Sequence, residues 1–332
     1  MKLITRRTFV GGAFTSTALL AAPSLRAEQL QTHVPPGVAA GPKGHLVYLD
    51  YDQQELDYAY DQRPWLTNLD EIRQRMNQKC ELARAHLGNP QRFSYGPTDI
   101  EALDVYATAA AHTPIHVHIH GGSWRFLNAS ATIYQAEMNV HAGANFVALD
   151  FTNVTETSGN LVPLADQVRR AVAWVYENAD RFGGDPSRLF VSGHSSGGHL
   201  AGVVVTTDWE SEYGLPRDLV KGGILASGMY DLYPVSLSAR RKYVNFTEDV
   251  IQNLSPQRHI DTLVAPVTIA YGTKETPEFQ RQGRAFAETI AASGKAVTLV
   301  VAEGFNHLEI YEDLGNPYGV VGRSILERMG LS

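Results

Sequence analysis

From residue 92 to the C-terminus, short apolar runs alternate with segments of helical period, and this alternation narrows the possible folds more than any other feature of the chain. The runs are "RFSYG", "ALDVYAT", "PIHVHIHGG" (114–122), "NFVALDF" (145–151), "RLFVSGHS", "GGILASG", "PVTIAYG" and "VTLVVAEG". Helical stretches separate most of them. The clearest is "LVPLADQVRRAVAWVYENADRF" (161–182), with Leu161, Leu164, Val168, Val172 and Val175 on one face. Such an order predicts an α/β fold with a mostly parallel central sheet and helices on both faces. Ligands of these sheets bind beyond the carboxyl ends of the strands, so the residues just after each strand are the first candidates for function.

The remaining features set bounds. With 332 residues, 44% of them hydrophobic, the chain can bury a large core. A net charge of −7, with no basic run beyond the N-terminus, argues against a nucleic-acid partner. Cys80 is the sole cysteine, so no intrachain disulfide can form. At the start, "TRRTFVGG" (5–12) puts Phe9 one residue after the Arg6-Arg7 pair, and an apolar stretch rich in small residues runs on to Ala22. That stretch is too short for a good membrane span. It predicts a twin-arginine export signal over 1–27, cleaved after Ala27, with the export machinery as a transient partner. The expected product is soluble and periplasmic, with no stable membrane anchor. Residues 28–91 read as an exposed Pro/Gly-rich arm, "VPPGVAAGPKG" (34–44), and a helical extension over 52–87. In that extension Leu69, Ile72, Met76, Lys79 and Leu82–Ala83 lie near one stripe. The catalytic domain is expected over 92–332, with a small cap over about 232–260.

After "RLFV" comes Gly193-His194-Ser195-Ser196-Gly197, a G-x-S-x-G pattern between a strand and the helical "HLAGVVVTT". Small residues two before and two after the serine permit a sharp turn that exposes its hydroxyl above a helix N-terminus. Ser195 is therefore the candidate nucleophile. Ser196 is the rival serine, and its backbone N–H sits where an oxyanion donor is needed. "HGGSW" (120–124) follows another strand, and the backbone N–H groups of Gly122 and Ser123 are the other expected oxyanion donors. Downstream, His307 in "EGFNHLEIYEDLGNP" is placed in a loop after the final strand, as the general base. The acid is expected after "PVTIAYG", where Glu275 and Glu278 stand, and the order Ser…acid…His is that of the hydrolase fold. Asp231, after "ILASGMY", is a third candidate. A neutral histidine base predicts a rise of kcat/KM near pH ~6.5, shifted by its neighbours.

These segments resemble the α/β-hydrolases, and within them the kynurenine formamidase (arylformamidase) branch close to the hormone-sensitive-lipase-like esterases. The resemblance rests on "HGGSW", "GGDPSRLFVSGHSSGGHLA", "SGMYDLYPV" (227–235), "SPQRHI" (255–260), "ETPEFQRQGRAF" (275–286), "NHLEIYEDLGNP" (306–317) and "ELDYAYDQRPW" (55–65), and spans about residues 50–330. It implies a serine hydrolase with Ser195 as nucleophile, His307 as base and position 275 as acid. The branch has Asp at that position; this chain has Glu275. The implied substrates are small carboxylic esters or activated amides of the aryl formamide or carbamate type. A dedicated kynurenine formamidase and a non-catalytic hydrolase-fold binding protein are the alternatives.

Three further features are expected to be local. His116, His118 and His120 fall on one face of a strand and read as hydrogen-bonded core histidines, with His120 steadying the oxyanion loop. No metal and no organic cofactor is implied. Trp124, His194 and Tyr230 are candidate pocket-lining residues; Trp65 is a weaker one.

Overall fold

The structure is a computed structural model that describes residues 33–331. The export signal expected over 1–27 lies outside the described residues. Among those residues, no helix is long and apolar enough to cross a membrane.

The N-terminal extension opens with a short hairpin, β1 (Leu46–Tyr48) and β2 (Tyr51–Asp52), followed by α1 (Gln53–Ala59) and α2 (Leu69–Leu87). Asp52 caps α1: its carboxylate accepts from the Glu55 N–H, while the Glu55 side chain accepts from the Asp52 N–H. In α2 the buried residues are Ile72, Met76, Cys80 and Ala83. Leu82 is 55% exposed, so the apolar stripe is turned away from the expected Lys79 and Leu82, and the lone cysteine serves as a small apolar side chain.

All eight apolar runs form strands of one sheet: β3 (Gln91–Ser94), β4 (Ala102–Tyr106), β5 (Thr113–Ile119), β6 (Asn145–Leu149), β7 (Gly184–His194), β8 (Gly222–Ala226), β9 (Val267–Gly272) and β10 (Val297–Ala302). Their order is β10-β9-β8-β7-β5-β6-β4-β3. β3 and β4 pair antiparallel, and the strands from β6 to β10 run parallel. The helices are α3 (Tyr134–His141), α4 (Val162–Glu177), α5 (Ser196–Val205), α6 (Trp209–Tyr213), α7 (Leu232–Leu237), α8 (Glu248–Asn253), α9 (Pro277–Ala292), α10 (His307–Asp313) and α11 (Val320–Met329). The stretch expected as one helix over 161–182 divides into α4 and a 3-10 turn, Ala179–Phe182.

Alternate strand residues enter two apolar layers. Ile115, Val117, Val147 and Val191 pack with residues of α4, α5 and α9. Phe146, Phe190 and Ile224 pack with residues of α2, α3 and α11. His116 and His118 are fully buried and hydrogen-bonded into a chain. The Gln135 amide donates to His118 Nε2 at 3.1 Å, so His118 Nδ1–H donates to Ser192 Oγ at 2.8 Å. The Ser192 hydroxyl then donates to His116 Nε2 at 2.7 Å, and His116 Nδ1–H to Asn139 Oδ1 at 2.9 Å. Each imidazole nitrogen has one partner, which is what burial of so much polar surface requires. His120 stacks on Phe151 and contacts the Gly121 carbonyl at 3.0 Å, at the root of the glycine loop.

Candidate active site

Because β5, β7, β8, β9 and β10 run parallel, their carboxyl ends open on one edge of the sheet. Ser195 follows β7 at φ 58° and ψ −124°, a conformation that costs a non-glycine residue on the order of 1–3 kcal/mol. It is the N-cap of α5, yet its hydroxyl caps no helix N–H, unlike most N-cap serines, and is free among the described residues. Gly193 and Gly197 make the turn possible. A Cβ on Gly193 would meet the Gly197 carbonyl at 2.1 Å, and one on Gly197 would meet the Ile119 carbonyl at 2.1 Å.

The glycine loop after β5 crosses this elbow: a Cβ on Gly121 would lie 3.3 Å from Ser195 Cβ. Gly122, Ser123 and Trp124 all have positive φ, at 97°, 58° and 60°. The Trp124 N–H donates to Ser196 Oγ at 3.0 Å, and this bond fixes the loop to the elbow. A second pin holds the same tryptophan. Its indole N–H donates to His199 Nδ1 at 3.2 Å, and His199 Nε2–H donates to the Leu254 carbonyl at 2.7 Å. Neither pin was legible in the sequence, where Ser196 stood as the rival serine and as a backbone donor.

Glu275 follows β9 and His307 follows β10. His307 is not in a loop, as expected, but is the first residue of α10, whose N-cap Asn306 forms a reciprocal capping box with Glu309. The spacing N-x-x-E in "NHLE" is the sequence signal for that start. His307 Nδ1 lies 3.2 Å from Glu275 Oε1, and the Ser227 hydroxyl donates to the same oxygen at 2.5 Å. Among the described residues, Glu275 Oε2 is buried without a partner. Burial pushes Glu275 up to about 8 and His307 down to about 3; the Arg240 guanidinium adds to the second effect. Ser227 directly follows β8 at φ 51° and was missed because a lone serine after a strand carries no motif.

The rival acids are elsewhere. Glu278 accepts from the Tyr60 hydroxyl at 2.7 Å and from Arg281 at 2.6 and 2.8 Å. Asp231 caps α7 and faces Arg258 at 3.6 Å. Two pocket expectations are corrected. Tyr230 is fully buried, stacked on Phe286, with its hydroxyl donating to the Leu225 carbonyl, so it belongs to the core. His194 is also buried: its Nε2–H donates to the His307 carbonyl at 2.9 Å and its ring lies 4.4 Å from that of His307, so it supports the base instead of lining a pocket. Trp65 donates to the Tyr58 carbonyl within the extension.

His194, Glu275 and His307 each bring one ligand atom within 4.8 Å of the others. The hydrogen bonds above already use one nitrogen of each imidazole and one oxygen of the carboxylate, an arrangement suited to proton transfer. The extension braces the loops of both acid and base. The Thr276 hydroxyl donates to the Ala59 carbonyl at 2.6 Å, and the Asn306 amide donates to Asn68 Oδ1 at 2.8 Å. A cavity of about 380 Å³ between Arg75, Lys79 and the loop at Glu303–Phe305 is not lined by Ser195.

This fold, with a strained serine elbow, a glycine loop and a His–Glu pair on one sheet edge, is that of an α/β-hydrolase serine hydrolase. The BD-FAE family model matches residues 103–221. The chain is 28% identical over 293 residues to kynurenine formamidase of Danio rerio, covering 84% of this chain and 97% of that protein. It is 25% identical over 229 residues to esterase LipC of Mycobacterium tuberculosis, covering 62% of this chain and 56% of that protein. A thermophilic esterase from Thermogutta terrifontis, solved with propionate bound, has the same fold at a TM-score of 0.62 and 23% identity, covering 74% of this chain and 96% of that one. The chain thus has the α/β-hydrolase fold, and its sequence is similar to those of a kynurenine formamidase, over most of its length, and of an esterase.

Proposed function

We propose that Ser195, His307 and Glu275 form a nucleophile–base–acid triad that hydrolyses small carboxylic esters or activated amides of the aryl formamide or carbamate type. The observation that carries this is the free, strained Ser195 on an edge shared with the buried His307–Glu275 pair. Ser195 Oγ attacks the substrate carbonyl carbon while His307 Nε2 takes the hydroxyl proton. Glu275 holds Nδ1–H and stabilises the imidazolium. The N–H groups of Gly122, Ser123 and Ser196 receive the developing oxyanion. The Trp124 N–H is spent on Ser196 Oγ, so its part is to hold the loop in place. Collapse of the tetrahedral intermediate expels the leaving group, which takes its proton from His307. Water then repeats the sequence on the acyl-enzyme. Aryl formamide hydrolysis has one specific support: the formamidase relative aligns over 84% of this chain, where the esterase LipC reaches 62%.

A fluorophosphonate probe should label the protein stoichiometrically, and Ser195→Ala should abolish labelling. An unlabelled wild type would point to a hydrolase fold turned to ligand binding. A panel of esters, formamides, carbamates and lactones then ranks the substrates.

Acyl size should be limited by Trp124. Its ring is 2% exposed, pinned by His199 and packed 6.4 Å from Phe246, which lies in the 232–260 segment that serves as the cap in this reading. A long acyl chain would have to displace it, at a cost of roughly 1–3 kcal/mol. On 4-nitrophenyl esters, kcat/KM should therefore fall by roughly tenfold or more from butyrate to dodecanoate. Trp124→Ala should flatten the series; a wild type that prefers dodecanoate contradicts the wall.

Export by the twin-arginine route belongs to the same proposal, supported by Arg6-Arg7-Thr8-Phe9. Fractionation of cells carrying the chain with Lys at positions 6 and 7 tests it: export that persists would show that the pair is not the signal.

A further inference from the structure

Arg240 is 6% exposed, which is unusual for a cation unless an anion accompanies it. Its Nε and Nη2 donate to the Tyr60 carbonyl at 3.1 and 2.8 Å, and its Nη1 to the Tyr243 hydroxyl at 2.8 Å. Among the described residues, no carboxylate lies within ion-pair distance of it. Asp61, nearby, is held by Arg63 at 2.9 and 2.7 Å, and Glu275 is engaged by His307 and Ser227. A buried charge without a counter-ion costs several kcal/mol. Clamping a backbone carbonyl does not require one, because a neutral amide donor would serve.

A second cation shares the place. Arg125, directly after Trp124, makes no hydrogen bond or ion pair among the described residues, and its Nε is buried without a partner. Its guanidinium lies 3.8 Å from the centre of the Tyr243 ring, the same tyrosine whose hydroxyl Arg240 holds. Arg240 in turn lies 5.6 Å from the centre of the Trp124 ring. Two unneutralised guanidiniums thus flank Tyr243 beside the glycine loop, in a chain whose net charge is −7. Exposed Arg241 and Lys242 follow Arg240 directly and strengthen the positive field there.

We infer that Arg125 and Arg240 form an anion-recognition subsite beside the reaction centre, and that the substrate is an ester or amide carrying a carboxylate. Arg240 spends three of its five N–H bonds on the protein and keeps one on each Nη, which matches the two oxygens of one carboxylate. The inference rests on the hydrolase reading above and names the substrate class for that same site.

The test compares charged substrates with neutral twins. One pair carries the charge on the acyl side: 4-nitrophenyl hydrogen succinate against its methyl ester. The other carries it on the leaving group: 3-acetoxybenzoate against its methyl ester. The wild type should favour the charged twin in kcat/KM by about tenfold or more in at least one pair. Arg125→Met and Arg240→Met should each bring that ratio toward one, and Arg240→Lys should leave it intermediate. Taking the ratio cancels a general loss of alignment. Arg125→Met is the safeguard should Arg240→Met fail to fold, since Arg125 holds no hydrogen bond. A catalysis-free arm uses Ser195→Ala and calorimetric binding of N-phenylsuccinamate and 3-acetamidobenzoate against their methyl esters. Tighter binding of a charged ligand by about tenfold or more supports the subsite. Parity, or preference for the neutral twin in both pairs, overturns it. A wild type that hydrolyses none of these esters would instead refute the hydrolase reading, and the binding arm would still decide the subsite.

Discussion

Replacing Glu275 by Gln is expected to lower kcat by about ten-thousand-fold and to move the acid limb of kcat/KM downward. The loss of rate follows from the charge. An amide can still face His307 Nδ1, but it cannot stabilise the imidazolium that forms when Ser195 gives up its proton. The direction of the limb follows from the pair. His307 and Glu275 share one hydrogen bond and titrate together. The form able to accept the serine proton and stabilise the resulting charge is neutral His307 beside ionised Glu275. Burial raises Glu275 to about 8, so the last proton leaves the pair late, and the wild-type limb should lie above pH 6.5, toward 8. Without the carboxylate, His307 titrates alone, held low by burial and by Arg240, and the residual activity should persist below pH 6.5. Glu278→Gln and Asp231→Asn should be far milder, because those carboxylates serve Arg281, Tyr60 and a helix cap. The checks are pH–rate profiles of all four proteins with chemistry rate-limiting. A severe Glu278→Gln, or a Glu275→Gln limb that does not move, would reassign the acid.

Acidification should unfold the protein unusually early. His116, His118, His120, His194 and His199 are buried, and burial lowers each of them, His116 and His199 to about 4. In the unfolded chain each would titrate near pH ~6.5. Between the folded and unfolded values the unfolded state binds more protons, so stability is present above pH ~6.5 and is lost as pH falls. Each group costs up to about 1.4 kcal/mol per pH unit in its window, and because the windows overlap just below pH ~6.5 their costs add to several kcal/mol per unit. A domain stable by about 5–15 kcal/mol would be exhausted within one to two units. A cooperative loss of near-UV dichroism is expected at a midpoint between about pH 5.5 and 4.5, with a slope of several protons. A native signal and unchanged urea midpoints down to pH 4 would show that these histidines are not neutral and buried together.

The same polar layer that makes the fold acid-sensitive also supports the elbow. Ser192, which joins His116 to His118, stands on β7 three residues before Ser195. His194 and His199, on either side of that serine, hold the base and the loop tryptophan. Histidine-rich stretches around the nucleophile are therefore scaffolding, and their cost appears only when the pH falls.

The strands were legible because each apolar run is short and bounded by glycine, proline or polar residues, and a parallel sheet needs such runs to be buried on both faces. Ser195, the glycine loop and His307 were legible for a related reason: parallel strands bring chemistry to their carboxyl ends, and sequence order tells which residue follows which strand. What remained closed was everything that depends on neighbours across the sheet. Glu275, Glu278 and Asp231 are all acids near strand ends, and only the packing of β9 beside β10 shows which one faces His307. Tyr230 follows its strand just as Trp124 nearly follows another, yet Gln282 binds the Tyr230 N–H and Phe286 covers its ring, so one aromatic becomes core while the other borders the site. The sequence by itself determined the alternating sheet, the serine elbow and the chain order of Ser195, Glu275 and His307 after their strands, because these are local patterns of period and turn chemistry. Only the tertiary structure decided which carboxylate faces His307, the brace from Ala59 and Asn68, and an Arg240 without a carboxylate partner among the described residues, because each rests on contacts between residues far apart in the chain, and nothing in local sequence records which of them meet.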